Sequence, residues 1–159
     1  MELHNTLILG IGNHLMSDDG VGGKAALRLA AETFGQPGLS CLDGGTLGYL
    51  LVSHIGEADR LIVIDAARMR VEPGAVRVFE NEDMDRFLNT NPNRSVHEVG
   101  LSDLMDMARL GGYLPKHRAL IAIQPRDIDI GVELSPPVAR SLPLVCEKAM
   151  ELIAGWRVE

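Results

Sequence analysis

Leu61-Ile62-Val63-Ile64-Asp65-Ala66-Ala67 is the stretch on which the fold turns. Four large aliphatic residues in a row leave no position to give to solvent. Three of them, Ile62, Val63 and Ile64, are β-branched and suit an extended backbone. A strand buried on both faces belongs in a parallel sheet covered by helices on either side. Asp65 ends the run, and two small alanines follow it. An acid in such surroundings is partly buried and needs a partner, which tilts it toward a functional role.

Toward the N-terminus the pattern alternates strand and helix. Leu7-Ile8-Leu9, ended by Gly10, is a second buried parallel strand. Val21 to Phe34 has helical spacing, with Val21, Ala25, Leu29 and Ala30 on one face. Leu39 to Leu42 is a strand closed by Asp43-Gly44-Gly45, and Leu47 to Ile55 makes a short helix.

Toward the C-terminus, Val71 to Phe79 differs. Pro73-Gly74 marks a turn, and Val76 and Val78 alternate with Ala75 and Arg77, which suits an added strand, antiparallel at an edge. Leu101 to Leu110 is helical and stops at Gly111-Gly112. Ser95 and Glu98 have capping-box spacing, so this helix can begin earlier. Ala119 to Ile123 is another buried strand. Ser135 with Pro136 opens the last helical region. Pro143 inside it predicts a kink or two consecutive helices. The fold class expected is therefore α/β: one three-layer domain over residues 1–159, its twisted sheet mostly parallel, helices on both faces, and an antiparallel edge strand.

At 159 residues, with 46 % hydrophobic and 23 % charged side chains, the chain can bury a full core without disulfides or a structural metal. A formal net charge of −7 with no long basic run excludes nucleic acid as a natural partner. Cys41 and Cys146 lack CxxC spacing and sit among apolar residues, so both read as reduced core residues. The Met1-Glu2-Leu3-His4-Asn5 start carries an acid and no basic region, and no run is long enough to span a bilayer. A soluble, cytoplasmic protein is expected.

Sites in such sheets form in crevices beyond the carboxyl ends of the strands. Three loops leave that edge. They carry Gly10-Ile11-Gly12-Asn13-His14-Leu15-Met16-Ser17-Asp18-Asp19-Gly20, then Asp43-Gly44-Gly45-Thr46-Leu47-Gly48, then Asp65-Ala66-Ala67. Asp18 or Asp19 can cap the helix that starts near Val21. Capping needs one acid only, and two adjacent carboxylates repel unless a cation is near, so cap and ligand both stay open for Asp19. Asp43 can turn the chain before the glycine pair by bonding its own backbone. His14, His54, His97 and His117 read individually as surface or helix-end histidines. No G-x-S-x-G elbow and no zincin spacing after His97-Glu98 is present, and neither cysteine has a neighbouring base. Peptide hydrolysis here would have to run through a metal and carboxylates.

The first loop also looks like a dinucleotide fingerprint, with Gly10 and Gly12 after a strand and Asp43 where a ribose-binding acid would sit. Leu15 replaces the third glycine, however, and Asp18 and Asp19 occupy the helix N-terminus where a pyrophosphate would bind. Two negative charges there favour a cation over an anion.

Taken in order, Gly10-Ile11-Gly12-Asn13 with Ser17-Asp18-Asp19-Gly20, Asp43-Gly44-Gly45-Thr46 with Gly48, Leu61 to Asp65, His97 to Leu104 and Ile128 to Pro136 resemble the hydrogenase maturation endopeptidase family. The likeness spans nearly the whole chain. It implies a metal site of Asp19, Asp65 and His97, the same three residues serving catalysis, with Asp19 shorter by one methylene than the Glu of some relatives. It also implies removal of a C-terminal extension from a nickel-iron hydrogenase large-subunit precursor after nickel insertion. Nickel carried by that substrate, or another divalent metal in isolation, would be held by two carboxylates and an imidazole. The nickel-loaded precursor is the partner implied, with the chain acting as a monomer and Asp43, Gly44, Gly45 and Thr46 forming a loop that an extended peptide can approach closely. A non-catalytic nickel or hydrogenase assembly chaperone and a nucleotide-binding module are the alternatives.

Overall fold

The computed structural model describes residues 4–45, 47–90 and 100–158. In chain order they form β1 (Thr6–Ile11), α1 (Val21–Glu32), β2 (Leu39–Gly45), α2 (Val52–Gly56), β3 (Arg60–Ala66), β4 (Val76–Glu80), α3 (Glu82–Thr90), α4 (Leu101–Gly111), β5 (His117–Ile123) and α5 (Pro136–Arg157), with 3-10 turns at Ser17–Gly20 and Gly48–Leu51.

The strands make one sheet in the order β2-β1-β3-β5-β4. β1, β2, β3 and β5 run parallel, and β4 lies antiparallel to β5 at the edge. Strand alternation sorts the core into two layers. Leu7, Leu9, Leu61, Val63 and Leu120 pack with Leu51 and Ile55, Met84 and Leu88, and Leu101, Leu104 and Met105 from α4. Ile8, Ile62, Ile64, Ile121 and Ile123 face the other way, onto Val21, Ala25 and Leu29 of α1 and Val138, Val145, Ala149 and Trp156 of α5. The uninterrupted aliphatic runs are thus shared between two helical layers. Each fully buried side chain of this kind contributes about 1.5–3 kcal/mol. No described helix is long and apolar enough to cross a membrane.

The sheet, its antiparallel edge strand and the helices on both faces agree with expectation; several details do not. β4 runs Val76–Glu80 after the expected Pro73-Gly74 turn, closed by Ala75 N–H to Glu72 O (3.0 Å), and carries the strand one residue past Phe79. The Leu47–Ile55 helix opens as a 3-10 turn before α2. α3 was not anticipated. α5 runs as one helix through Pro143, so the two-helix alternative fails. Buried contacts on both sides of the proline, at Val138 and Val145 through Ala149, hold the helix continuous despite the lost backbone donor. Cys146 is buried in the α5 layer and Cys41 packs partly buried against it; both are free thiols. The Ser95–Glu98 capping pair lies outside the described residues; the described helix α4 starts at Leu101, with Gly100 N–H donating to Asp103 Oδ2 (3.1 Å).

Candidate functional site

The chain leaves β1 for β2 on one side, and β3 enters on the other, so the strand order reverses between β1 and β3. A crevice opens at the carboxyl end of such a switch point. The N-terminus of α1 is seated against it. A Cβ on Gly22 would overlap Ile64 O and lie 2.6 Å from Ile11 O, so only glycine lets the helix sit this low on both strand ends.

That seating sets two acids at the same end of the sheet, beside the crevice. Asp19 lies three residues before Gly22, in the Ser17–Gly20 turn that packs on β3, and Asp65 follows Ile64 directly. Each is only 4 % exposed. Asp19 Oδ2 accepts the Asn13 N–H at 2.8 Å, which fixes the carboxylate against its own loop. Asp65 extends the Leu61–Val63 alternation, which gives it the face of the sheet covered by α2, α3 and α4. His97, the third residue named for the site, lies outside the described residues, as does Thr46. Among the described residues no group of three His, Cys, Asp or Glu side chains is assembled for a metal ion.

Neither acid caps α1: Gly20 holds the N-cap position and no side chain bonds the helix end. Asp18 instead points away from Asp19 in role. Fully buried, it accepts hydrogen bonds from Arg126 N–H (2.8 Å), Asp127 N–H (2.9 Å), Ser135 N–H (2.7 Å) and Ser135 Oγ–H (2.8 Å). Burial by itself raises its pKa; the bonds from Asp127, Ser135 and Arg126 outweigh that and hold it below the usual carboxylate value. Asp18 therefore staples the first loop to the loop before α5. The Ser135 hydroxyl is spent on this staple, and Ser135 makes no side-chain cap bond to α5. Backbone bonds extend the seam: Ser17 N–H donates to Gly131 O (2.8 Å) and Gly131 N–H to Leu15 O (2.9 Å).

On the other flank, β2 carries a bulge where Gly10 pairs with Asp43 and Ile11 with Gly45. Asp43 Oδ1 accepts Gly45 N–H at 3.1 Å, the backbone turn expected of it. Its other oxygen lies 2.6 Å from His14 Nε2. Gly44 is buried in the bulge, and Gly45 O accepts the Gly12 N–H at 3.0 Å. His14 was read as an ordinary surface histidine; its partner stands 29 residues away at the end of the neighbouring strand. His54 is exposed, and His117 packs its ring against Trp156.

The acids at the α1 N-terminus are drawn inward and buried, so the position a pyrophosphate would need is held by negative charge. The nucleotide-binding alternative has no support in this geometry.

Residues 26–152 match the family model for hydrogenase maturation proteases. The chain is 37 % identical over 153 residues to the hydrogenase expression/formation protein HupD of Bradyrhizobium diazoefficiens, covering 96 % of this chain and 79 % of that protein. The fold is similar to the [NiFe] hydrogenase maturation protease HybD of Thermococcus kodakarensis, with TM-score 0.78, 34 % identity, and coverage of 93 % and 98 % of the two chains. It is also similar to the hydrogenase maturating endopeptidase HybD of E. coli, with TM-score 0.84, 26 % identity, and coverage of 95 % and 93 %. With its family model matched over residues 26–152 and relatives similar along nearly its whole length, the chain belongs to the hydrogenase maturation protease family.

Proposed function

We propose that this protein is a cytoplasmic endopeptidase that removes the C-terminal extension of a nickel-iron hydrogenase large-subunit precursor once nickel has been inserted, acting as a monomer. The observation that supports the reading is that Asp19 and Asp65, both 4 % exposed, lie at the end of the sheet where the strand order reverses between β1 and β3. Two buried carboxylates concentrate negative charge where the sheet topology makes a binding cleft. With the imidazole of His97 they form a mixed oxygen and nitrogen donor set carrying two negative charges, which suits a divalent first-row ion. The donor chemistry therefore fits nickel presented by the substrate, or another divalent ion in its place.

In that role Asp19, Asp65 and His97 hold the metal-bearing end of the precursor and so fix the scissile bond in the crevice. The metal, when bound, supplies a Lewis acid able to polarise a carbonyl or lower the pKa of water. The Asp43, Gly44, Gly45 and Thr46 segment is assigned to the substrate peptide; within it Gly45, beside which a Cβ would meet nothing within 4 Å, permits close backbone approach.

The test uses nickel-loaded and metal-free precursor, each mixed with the protein and weighed by mass spectrometry. Loss of a C-terminal fragment from the loaded form alone is the expected result. Asp65→Asn and His97→Ala should each abolish that loss while circular dichroism still reports a folded domain. A variant that processes at the wild-type rate removes its residue from the site. Retention of the precursor with unchanged mass would point to a chaperone instead.

A further inference from the structure

We propose that His14 is a positioning residue that clamps the Asp43–Gly45 loop to the loop carrying Asp19, and so sets how tightly the substrate's C-terminal segment is held. This role rests on the processing function proposed above. The contacts form a closed ring. His14 Nε2 and Asp43 Oδ2 are 2.6 Å apart, Asp43 Oδ1 accepts Gly45 N–H, Gly45 O accepts Gly12 N–H, and the next residue but one from Gly12 is His14 itself. Between them, Asn13 N–H donates to Asp19 Oδ2 at 2.8 Å. An ionised carboxylate is an acceptor only, so Nε2 carries the proton in this pair. Charge-assisted bonds of this length are among the stronger side-chain contacts.

A second feature shows that the pair is built into the fold. Gly23, in the first turn of α1, faces both partners: a Cβ there would overlap His14 Nε2 and stand 2.6 Å from Asp43 Oδ1. The helix thus leaves a slot that the imidazole and the carboxylate fill. Side chains of His14 and Asp43 keep 35 % and 23 % of their exposure, so the clamp sits at the surface of the crevice, where an extended peptide would pass. His14 closes one end of the ring and Asp19 hangs from its middle. Losing the clamp should loosen the glycine loop first, because the Asp43 carboxylate then keeps only its own backbone turn.

The experiment compares wild type, His14→Ala, His14→Gln and Gly23→Ala. Amide hydrogen exchange at Gly12 and Gly45 is read by NMR beside that of Val63 and Ile64 in β3. Losing a bond to a charged partner corresponds to exchange about tenfold faster or more. That acceleration is expected at Gly12 and Gly45 in His14→Ala and Gly23→Ala, with the β3 amides unchanged. His14→Gln, which keeps an N–H donor, should restore much of the protection. In processing of nickel-loaded precursor, KM should rise several-fold in His14→Ala and recover in His14→Gln while kcat stays near the wild-type value. Unchanged exchange at Gly12 and Gly45 in His14→Ala overturns the clamp. So does an equal fall in kcat with constant KM. If the wild type does not process precursor at all, the proposed function fails, and the exchange result alone still decides whether His14 holds the ring.

Discussion

Replacing Asp18 by asparagine tests the staple on which the site's geometry depends. Three donors, Arg126 N–H, Asp127 N–H and Ser135 Oγ–H, converge on Oδ2, and Ser135 N–H binds Oδ1. An asparagine oxygen placed at Oδ2 keeps three bonds but makes them neutral, a loss of about 1 kcal/mol each. Its amide then faces the Ser135 N–H donor to donor, leaving a buried donor unmet at a further 1–3 kcal/mol or so. Because the losses share one group they do not add fully, and a total of about 3–5 kcal/mol follows, as for breaking a buried ionic pair. For a chain of this size that is a fall in Tm of roughly 6–20 °C. Urea unfolding at pH 7, followed by circular dichroism, measures it directly. The difference should also depend on pH. Hydrogen bonds hold the folded Asp18 carboxyl below the usual carboxylate range, so its contribution is fully present above that range and is lost as pH falls through the folded pKa. The variant should therefore approach wild-type stability in strong acid. A loss under about 1 kcal/mol at pH 7, or one that grows on acidification, refutes the staple.

Three further substitutions probe the packing of the domain. Gly22→Ala places a methyl onto Ile64 O and should cost about 1–3 kcal/mol in urea unfolding, whereas Gly155→Ala, with nothing within 4 Å of its Cβ, should gain up to about 1 kcal/mol from helix propensity. Arg118→Lys keeps the charge but loses the paired bonds from Nε (3.1 Å) and Nη2 (2.5 Å) to Asp85, which join β5 to α3; a drop of about 2 kcal/mol in thermal or urea unfolding is expected, and none would show the pair to be decorative.

How much of this was legible beforehand follows from how local each cause is. The aliphatic runs at Leu7–Leu9, Leu61–Ile64 and Ala119–Ile123 announce strands because burial on both faces demands apolar residues at every position. Asp65 was legible because it ends such a run. α3 carries a helical stripe of Met84, Leu88 and the partly buried Phe87, but at nine residues it spans too few turns to stand out against a loop. Pro143 left a kink and two helices both open because the rule against proline is local, while the packing that keeps α5 one helix is not. The His14–Asp43 pair and the Asp18 staple were hidden for the same reason. Each joins residues 29 or 117 positions apart, and only the sheet order brings their loops together.

The neighbouring acids show why that distinction matters for chemistry. A carboxylate offers about four lone-pair positions. Asp18 accepts four bonds from Arg126, Asp127 and Ser135, three on Oδ2 and one on Oδ1, so most of its acceptor capacity is already spent. Of two identical side chains one residue apart, the proposed function therefore gives the ligand role to Asp19, while Asp18 ties the loop that carries both to the loop before α5. Sequence leaves the two acids interchangeable; the donors arriving from the loop before α5 separate them. A cation attracted to the pair would meet one carboxylate already neutralised by oriented N–H and O–H dipoles, and one still anchored by a single loop amide from Asn13 among its contacts.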